Sequence, residues 1–319
     1  MGAGGIGGYV GGRLQEAGEE VHLIARGRHL EALQANGLRI ESPHGNAVLP
    51  HIHATSDPAA IGPVDLVLFT VKLGDSDAAA RSLAPIVADH TKIVTLQNGI
   101  DSKTIIGRYV DPGHVAAGII YLAAYIKEPG TIMSPGGAHR MEVERMGGDP
   151  VMAAFFAACD RSVALDATPS DDAERTLWGK FIALTAFAGA TSIARLPIGA
   201  VYEHLETLAF MRQLLDETIA VALACGQDFD AAHADMTIEL FRNQPYEQKS
   251  SMLVDLEAGK PLELPWLSGK VKALGKELGI PTPAHSAVLA ALTAYVDGPP
   301  NTGRGKAQVP PRRRQETHA

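Results

Sequence analysis

Apolar positions along the chain fall into two regimes. Up to about residue 150, short apolar runs alternate with amphipathic stretches; beyond Glu174 the apolar residues recur at three- and four-residue steps. In the first regime "GYVGGRLQEAGEE" predicts a helix with Val10 and Leu14 on one face and Gly18 as its stop, followed by the strand "EVHLIAR". "GRHLEALQANG" predicts a second helix closing at Gly37, and "LRIESPHGNAVLPHIHAT" a hairpin turning at His44-Gly45-Asn46. "VDLVLFTVK" and "TKIVTLQNG" are continuous apolar runs, as in strands buried on both faces, with the helix-like "DSDAAARSLAPIVADH" between them. "HVAAGIIYLAAYIKEPGTIMSPGGAHRMEVER" predicts several more strands joined by glycine-rich turns, and "DPVMAAFFAACD" a helix. Such alternation means an α/β fold built on a Rossmann-type, doubly wound parallel sheet.

The character changes at "ALDATPSDDAERT", whose small, acidic and turn-forming residues predict a linker, with Asp171 or Asp172 capping the helix beyond it. From Glu174 to about Val296 the pattern is helical, broken at Pro197, Gly226, Pro245, Pro261 and Pro281. The expected organisation is a nucleotide-binding sheet domain over 1–168, a second, mainly α-helical domain over 173–297, and a disordered tail over 298–319. That tail is rich in Pro, Gly and Arg and has too little apolar surface to offset its ordering entropy.

Composition narrows the function classes. The 319 residues are 46% hydrophobic and 20% charged, enough for a large core, and the net charge of −8 argues against a nucleic-acid partner, "PPRRRQ" near the end being the one basic cluster. Twelve histidines lack the close spacing of a zinc site, so no metal is expected, and Cys159 and Cys225 form no C-x-x-C pair. Two buried thiols in a reducing compartment are the simplest reading. No apolar run reaches the roughly 18 residues needed to span a bilayer, and no secretory leader is visible, so a cytoplasmic protein without a membrane partner is expected. A homodimer stays open.

The chemistry begins at the first residues. Gly2-Ala3-Gly4-Gly5-Ile6-Gly7 has the G-x-G-x-x-G spacing of a dinucleotide-binding turn opening a helix. Gly2 suits the tight turn, Gly4 lets a diphosphate approach the backbone, Gly7 lets the helix pack on the sheet, and the helix start, with Gly5 and Ile6, offers N–H groups to the anion. At the end of the next strand an NAD enzyme places an acid; here stands Arg26, 19 positions after Gly7, with Arg28 nearby. A guanidinium pairs with a 2′-phosphate, so NADP (NADPH) is the expected cofactor. Yet such a turn follows a strand, and only Met1 precedes it. That strand is central in a doubly wound sheet, so the expectation is a natural chain beginning upstream of Met1 with an apolar strand of about five or six residues.

Taken in order, "GAGGIGGYVGGRL", "ARGRHLEAL", "FTVK", "LQNGID", "WGKF" and "SSML", with Glu263 12 residues after the second serine, resemble the ketopantoate reductase (2-dehydropantoate 2-reductase) family over almost the whole chain to about Val296. The resemblance implies an NADP-dependent oxidoreductase of pantothenate biosynthesis that reduces a small-molecule 2-oxo acid in a cleft between domains, ketopantoate to pantoate being the best single assignment. It implies Lys180 as catalytic general acid and Glu263 as active-site carboxylate, binding or orienting the substrate or the lysine. It further implies Asn98 near the nicotinamide, the lysine and the substrate, Lys72 on the cofactor side, and Ser251 against the substrate. The pattern departs from the family where Leu184, Ala188 and Ile198 stand in place of asparagines, which marks a divergent branch with a less polar pocket. Two rival readings are a β-hydroxyacid dehydrogenase-like oxidoreductase, which lacks the "SSML" and Glu263 signature, and a non-catalytic NADP-binding sensor, which has no use for Lys180 with Glu263.

Overall fold

The structure, a computed structural model, describes residues 1–300. Its first part is a set of short strands and helices: α1 (Gly5–Glu16), β1 (His22–Ile24), α2 (Gly27–Asn36), β2 (Leu38–Glu41), β3 (Ala47–Leu49), β4 (His53–Thr55), β5 (Leu66–Phe69), α3 (Ser76–Arg81), β6 (Lys92–Thr95), α4 (Ser102–Ile106), β7 (Val115–Tyr121), β8 (Tyr125–Glu128), β9 (Thr131–Met133), β10 (Arg140–Glu144), α5 (Pro150–Arg161) and β11 (Asp166–Ser170). Strands β5, β6 and β7 run parallel side by side, β10 joins antiparallel to β7, and β11 lies parallel to β10. The hairpin predicted at His44 forms between β2 and β3, while β4 leaves it to pair in parallel with β1. The parallel β-α alternation, with a helical part following it, is the α/β class that the periodicity predicts.

Among the described residues no strand lies between β1 and β5. Met1–Ala3 reach only the C-terminal end of that gap. Gly2 and Ala3 donate to the carbonyl of Ile24, the Met1 amine donates to Leu68 O at 2.9 Å, and Thr70 returns N–H and hydroxyl bonds to the Met1 carbonyl, the hydroxyl also reaching Gly2 O at 2.8 Å. Burial pushes the Met1 amine down to about 5. Below this bridge lies a cavity of about 590 Å³ lined by Leu14, Leu23, Leu66, Leu68, Ile86 and Phe155, with exposed Glu20 and Asp65 also on its wall. Leu66 and Leu68 are accordingly only half-buried, where the apolar run predicts burial on both faces.

The second part is helical: α6 (Ala173–Ala194), α7 (Ile198–Glu203), α8 (Leu205–Ala224), α9 (Ala231–Arg242), α10 (Ser251–Glu257), α11 (Ser268–Leu278) and α12 (Pro283–Leu292). Its core gathers Trp178, Phe181 and Ile182 of α6, Met211, Leu214 and Leu215 of α8, and Val288 of α12. Asp172 caps α6, accepting the Arg175 N–H at 3.2 Å. Among the described residues α6 alone has the length and mean hydropathy (1.3) of a membrane-crossing helix, yet 56% of that stretch is buried inside the fold.

Three expectations need correction, and a fourth falls mostly outside the described residues. The predicted linker contains β11, an edge strand whose partner is β10; lacking apolar alternation, "DATPS" is extended by pairing and not by propensity. The helix predicted between β5 and β6 is only α3, because Pro85 turns the chain into a separate short 3₁₀ turn over Ala84–Ile86. Cys159 is buried, its thiol pushed up to about 12 chiefly by burial, whereas Cys225 is exposed at the end of α8. Most of the predicted tail, 301–319, lies outside the described residues; Gly298 still bonds back to Tyr295.

Candidate active site

Because β5, β6 and β7 are parallel, their C-terminal ends share one rim, and the residues that follow them meet there. The glycine turn reaches the same rim. Gly2 holds φ at +93°, a left-handed conformation that side chains avoid, and a Cβ on Gly7 would strike the Gly2 carbonyl and the Thr70 hydroxyl, so this helix can lie so close only with glycine there. At Gly4 a Cβ would meet nothing within 4 Å. Gly4 is also the N-cap of α1 and carries no side-chain cap, so the open space lies at the positive end of a helix, a cradle of the kind a diphosphate fills. Arg26 follows β1 as the N-cap residue of α2; it and Arg28 are exposed and make no side-chain hydrogen bond or ion pair among the described residues.

Lys72 follows β5 and reaches across the seam to the helical part: its Nζ lies 2.9 Å from Asp255 Oδ2 and 4.0 Å from Glu263 Oε2. Burial alone would lower its pKa, but Glu263 and Asp255 outweigh that and raise it. The next residue, Leu73, donates its N–H to Glu263 Oε1 at 3.2 Å, so this carboxylate, 9% exposed, is anchored by the backbone of the opposite part of the molecule. Asn98 follows β6, half-buried, and its side chain has no hydrogen-bond partner among the described residues. Its neighbour Gln97 donates to Val71 O and Ser76 Oγ, both at 2.7 Å, pinning the end of β6 to the loop after β5.

Lys180, in the second turn of α6, sends its ammonium to the end of β7, where it donates to Ile120 O at 2.8 Å and lies 5.7 Å from the centre of the Tyr121 ring. Burial pushes its pKa down from about 10.5 to about 8, with the Glu263 charge acting the other way. The ammonium is therefore mostly protonated at neutral pH and close to balance near pH 8.

Ser251 is brought near this rim but is not tied into it. It is the exposed first residue of α10, and the cap of that helix is its buried neighbour Ser250, which accepts the Leu253 N–H and pairs with Thr191 Oγ1 at 2.7 Å. Of the three apolar replacements, Ala188 (1% exposed) and Ile198 (0%) lie in the core of the helical part, and Leu184, one turn beyond Lys180, is the one that reaches the surface.

Sequence reasoning misses several residues here. Asp255 lies one turn after Ser251, so their shared helical face is the signal that could have found it. Lys270 and Asp101, 2.6 Å apart, form a second ion pair across the seam, and Gly74 and Gly99 lie against Trp266. No spacing rule joins these residues, which are far apart in the chain.

Two family profiles described as "Ketopantoate reductase PanE/ApbA" and its C-terminal part match residues 1–148 and 172–296. The chain belongs to the ketopantoate reductase family. It is thus an NADP-dependent oxidoreductase with a nicotinamide cofactor. It is 30% identical over 311 residues to the 2-dehydropantoate 2-reductase of Mesorhizobium japonicum, covering 91% of this chain and 94% of that protein. It is 32% identical over 280 residues to that of Archaeoglobus fulgidus, covering 88% and 91%. A solved structure of a PanE/ApbA family ketopantoate reductase from Ralstonia eutropha superposes with a TM-score of 0.84 at 34% identity, covering 92% of this chain and 96% of that one. A D-mandelate dehydrogenase shares the fold at a TM-score of 0.82 and 19% identity, covering 92% and 96%.

Proposed function

We propose that this ketopantoate reductase family member reduces a 2-oxo acid to the 2-hydroxy acid with NADPH, and that 2-dehydropantoate, reduced to pantoate, is its substrate. The single observation that carries the reading is the Lys180 ammonium, held at the rim by the Ile120 carbonyl and within the electrostatic reach of Glu263, a carboxylate that the opposite part of the molecule anchors. When bound, the cofactor supplies the hydride. The N–H groups at the start of α1 and the open space at Gly4 suit its diphosphate, and Arg26 its 2′-phosphate. Lys72 and Asn98 stand at the rim for its nicotinamide end. Hydride arriving at the carbonyl carbon leaves charge on oxygen, and Lys180 stabilises that charge and donates the proton that completes the hydroxyl. Glu263 orients the lysine, and Ser251 and Asn98 contact the substrate in the cleft between the two parts. A cytoplasmic location accords with this chemistry.

The test is steady-state NADPH oxidation by the purified protein against a panel of 2-oxo acids. Turnover of 2-dehydropantoate, or of a bulkier 2-oxo acid, is expected. A folded protein that binds NADPH and turns over no 2-oxo acid overturns the reading.

A further inference from the structure

Three charged side chains meet at the seam, and only one of them is rigidly held by its own helix. Asp255 is 14% exposed and sits on α10, which is fixed by the Ser250 cap and by buried Met252, Leu253 and Leu256. Lys72 is 58% exposed on a flexible stem, 2.9 Å from Asp255 and 4.0 Å from Glu263. We propose that Asp255 is a positioning residue for the reaction: by drawing Lys72 toward α10 it keeps the Glu263 carboxylate available to Lys180. The proposal rests on the roles given above to Lys180 and Glu263.

The geometry supplies the reason. With the Asp255 charge removed, Lys72 needs to move only about 1 Å to pair directly with Glu263. Glu263, whose negative charge favours the protonated form of Lys180, is then paired with Lys72, and the positive charge of Lys72 moves toward the carboxylate that Lys180 senses. Both effects weaken the hold of Lys180 on its proton. The other groups facing Lys180 are unaltered by this change. Tyr121 of β7 has its phenol pushed up, mainly by burial, and stays neutral near pH 8; Arg140 stands over its ring at 4.3 Å, and Glu142 of β10 lies beside it. The Asp101–Lys270 pair still clasps the seam.

The experiment follows the Lys180 side-chain NMR signal through a pH titration of the cofactor-free protein, alongside the basic limb of kcat/KM. Asp255→Asn should move both midpoints to lower pH by about half a unit or more. Asp255→Glu should restore them, and so should Lys72→Met added to Asp255→Asn, since without Lys72 nothing competes for Glu263. Asp255→Ser gives the same reading should the asparagine variant fail to fold. An unshifted midpoint in Asp255→Asn, or a shift that persists after Lys72→Met, overturns the proposal. Failure of the underlying reading looks different: Lys180→Ala would keep its turnover, whatever Asp255 does to the titration.

Discussion

Strand β5 has two edges with opposite fates. Toward β6 all four of its residues are paired in register, and the residues that follow it are held by Gln97, Glu263 and Asp255. Toward β1 the strand faces the 590 Å³ cavity, and the hydrogen bonds on that side join Leu68 and Thr70 to Met1 and Gly2. The same strand therefore ends in a fully tied site and borders an open slot. At the site end the glycine turn is tied to the rim by local bonds, from Gly2 and Ala3 to Ile24 and between Met1, Gly2 and Thr70. Changes at the rim should be read in activity, and changes in the slot in stability.

The largest effect expected on the site side is that of Lys180→Ala, which should lower kcat by at least about a hundredfold while NADPH affinity stays near normal. Its stability should not suffer. A lysine whose pKa is lowered on folding opposes the fold while charged, a cost fully present below about pH 8 that fades as pH rises toward 10.5. In the unsubstituted protein kcat/KM should fall about tenfold per pH unit above about 8, as the general acid loses its proton. A pH-independent rate through pH 9.5, or a fully active alanine variant, removes Lys180 from the chemistry.

Next comes Arg26→Ala, expected to weaken NADPH binding by about tenfold or more and to change NADH binding by no more than about twofold, because only NADPH offers a phosphate to the guanidinium. Fluorescence titration with both cofactors decides it, and equal losses would reassign Arg26 to solvation.

The slot is probed from the other side. Fusing five β-branched residues in front of Met1 should fill part of the cavity and replace a buried amine by a peptide bond. Filling about 100 Å³ at roughly 24 cal/mol per Å³ gives about 2.4 kcal/mol, a Tm rise of about 3–4 °C, with NADPH affinity unchanged. If affinity rises in step with Tm, the two edges of β5 are coupled and the comparison breaks.

The smallest effect is expected from Leu184→Asn, which returns an amide one turn beyond Lys180 and should raise kcat/KM for 2-dehydropantoate severalfold. Ala188→Asn and Ile198→Asn should instead destabilise, since each puts an amide among the apolar side chains of the helical core. An increase in kcat/KM from Ile198→Asn would show that the pocket opens deeper than this conformation does.

Much of this was legible in the sequence because it is written in local pattern. The glycine turn, the runs that become β5, β6 and β7, and the breaks at Pro197 and Gly226 depend on neighbours within a few residues. Strand β11 was not legible, since its extension comes from β10, some 26 positions earlier. Neither was Asp255, which acquires its meaning from Lys72, 183 positions away. The serine pair illustrates the limit within a single motif. Either of Ser250 and Ser251 could cap α10 by type, and only the packing against Thr191 decides that the buried one does. The apolar character of residues 188 and 198 could likewise be read, but not the direction they face.

The helix that carries Lys180 also runs through the core of the helical part, and this makes it a lever. From Lys180 to the far end at Ala194 is 14 residues, about 21 Å of rigid rod. A tilt of only about 3° about that end displaces the ammonium by about 1 Å, a misplacement large enough to cost on the order of a hundredfold in rate. Side chains around Leu214 and Val288, which touch no reactant, thereby act as the bearing on which the proton donor is aimed.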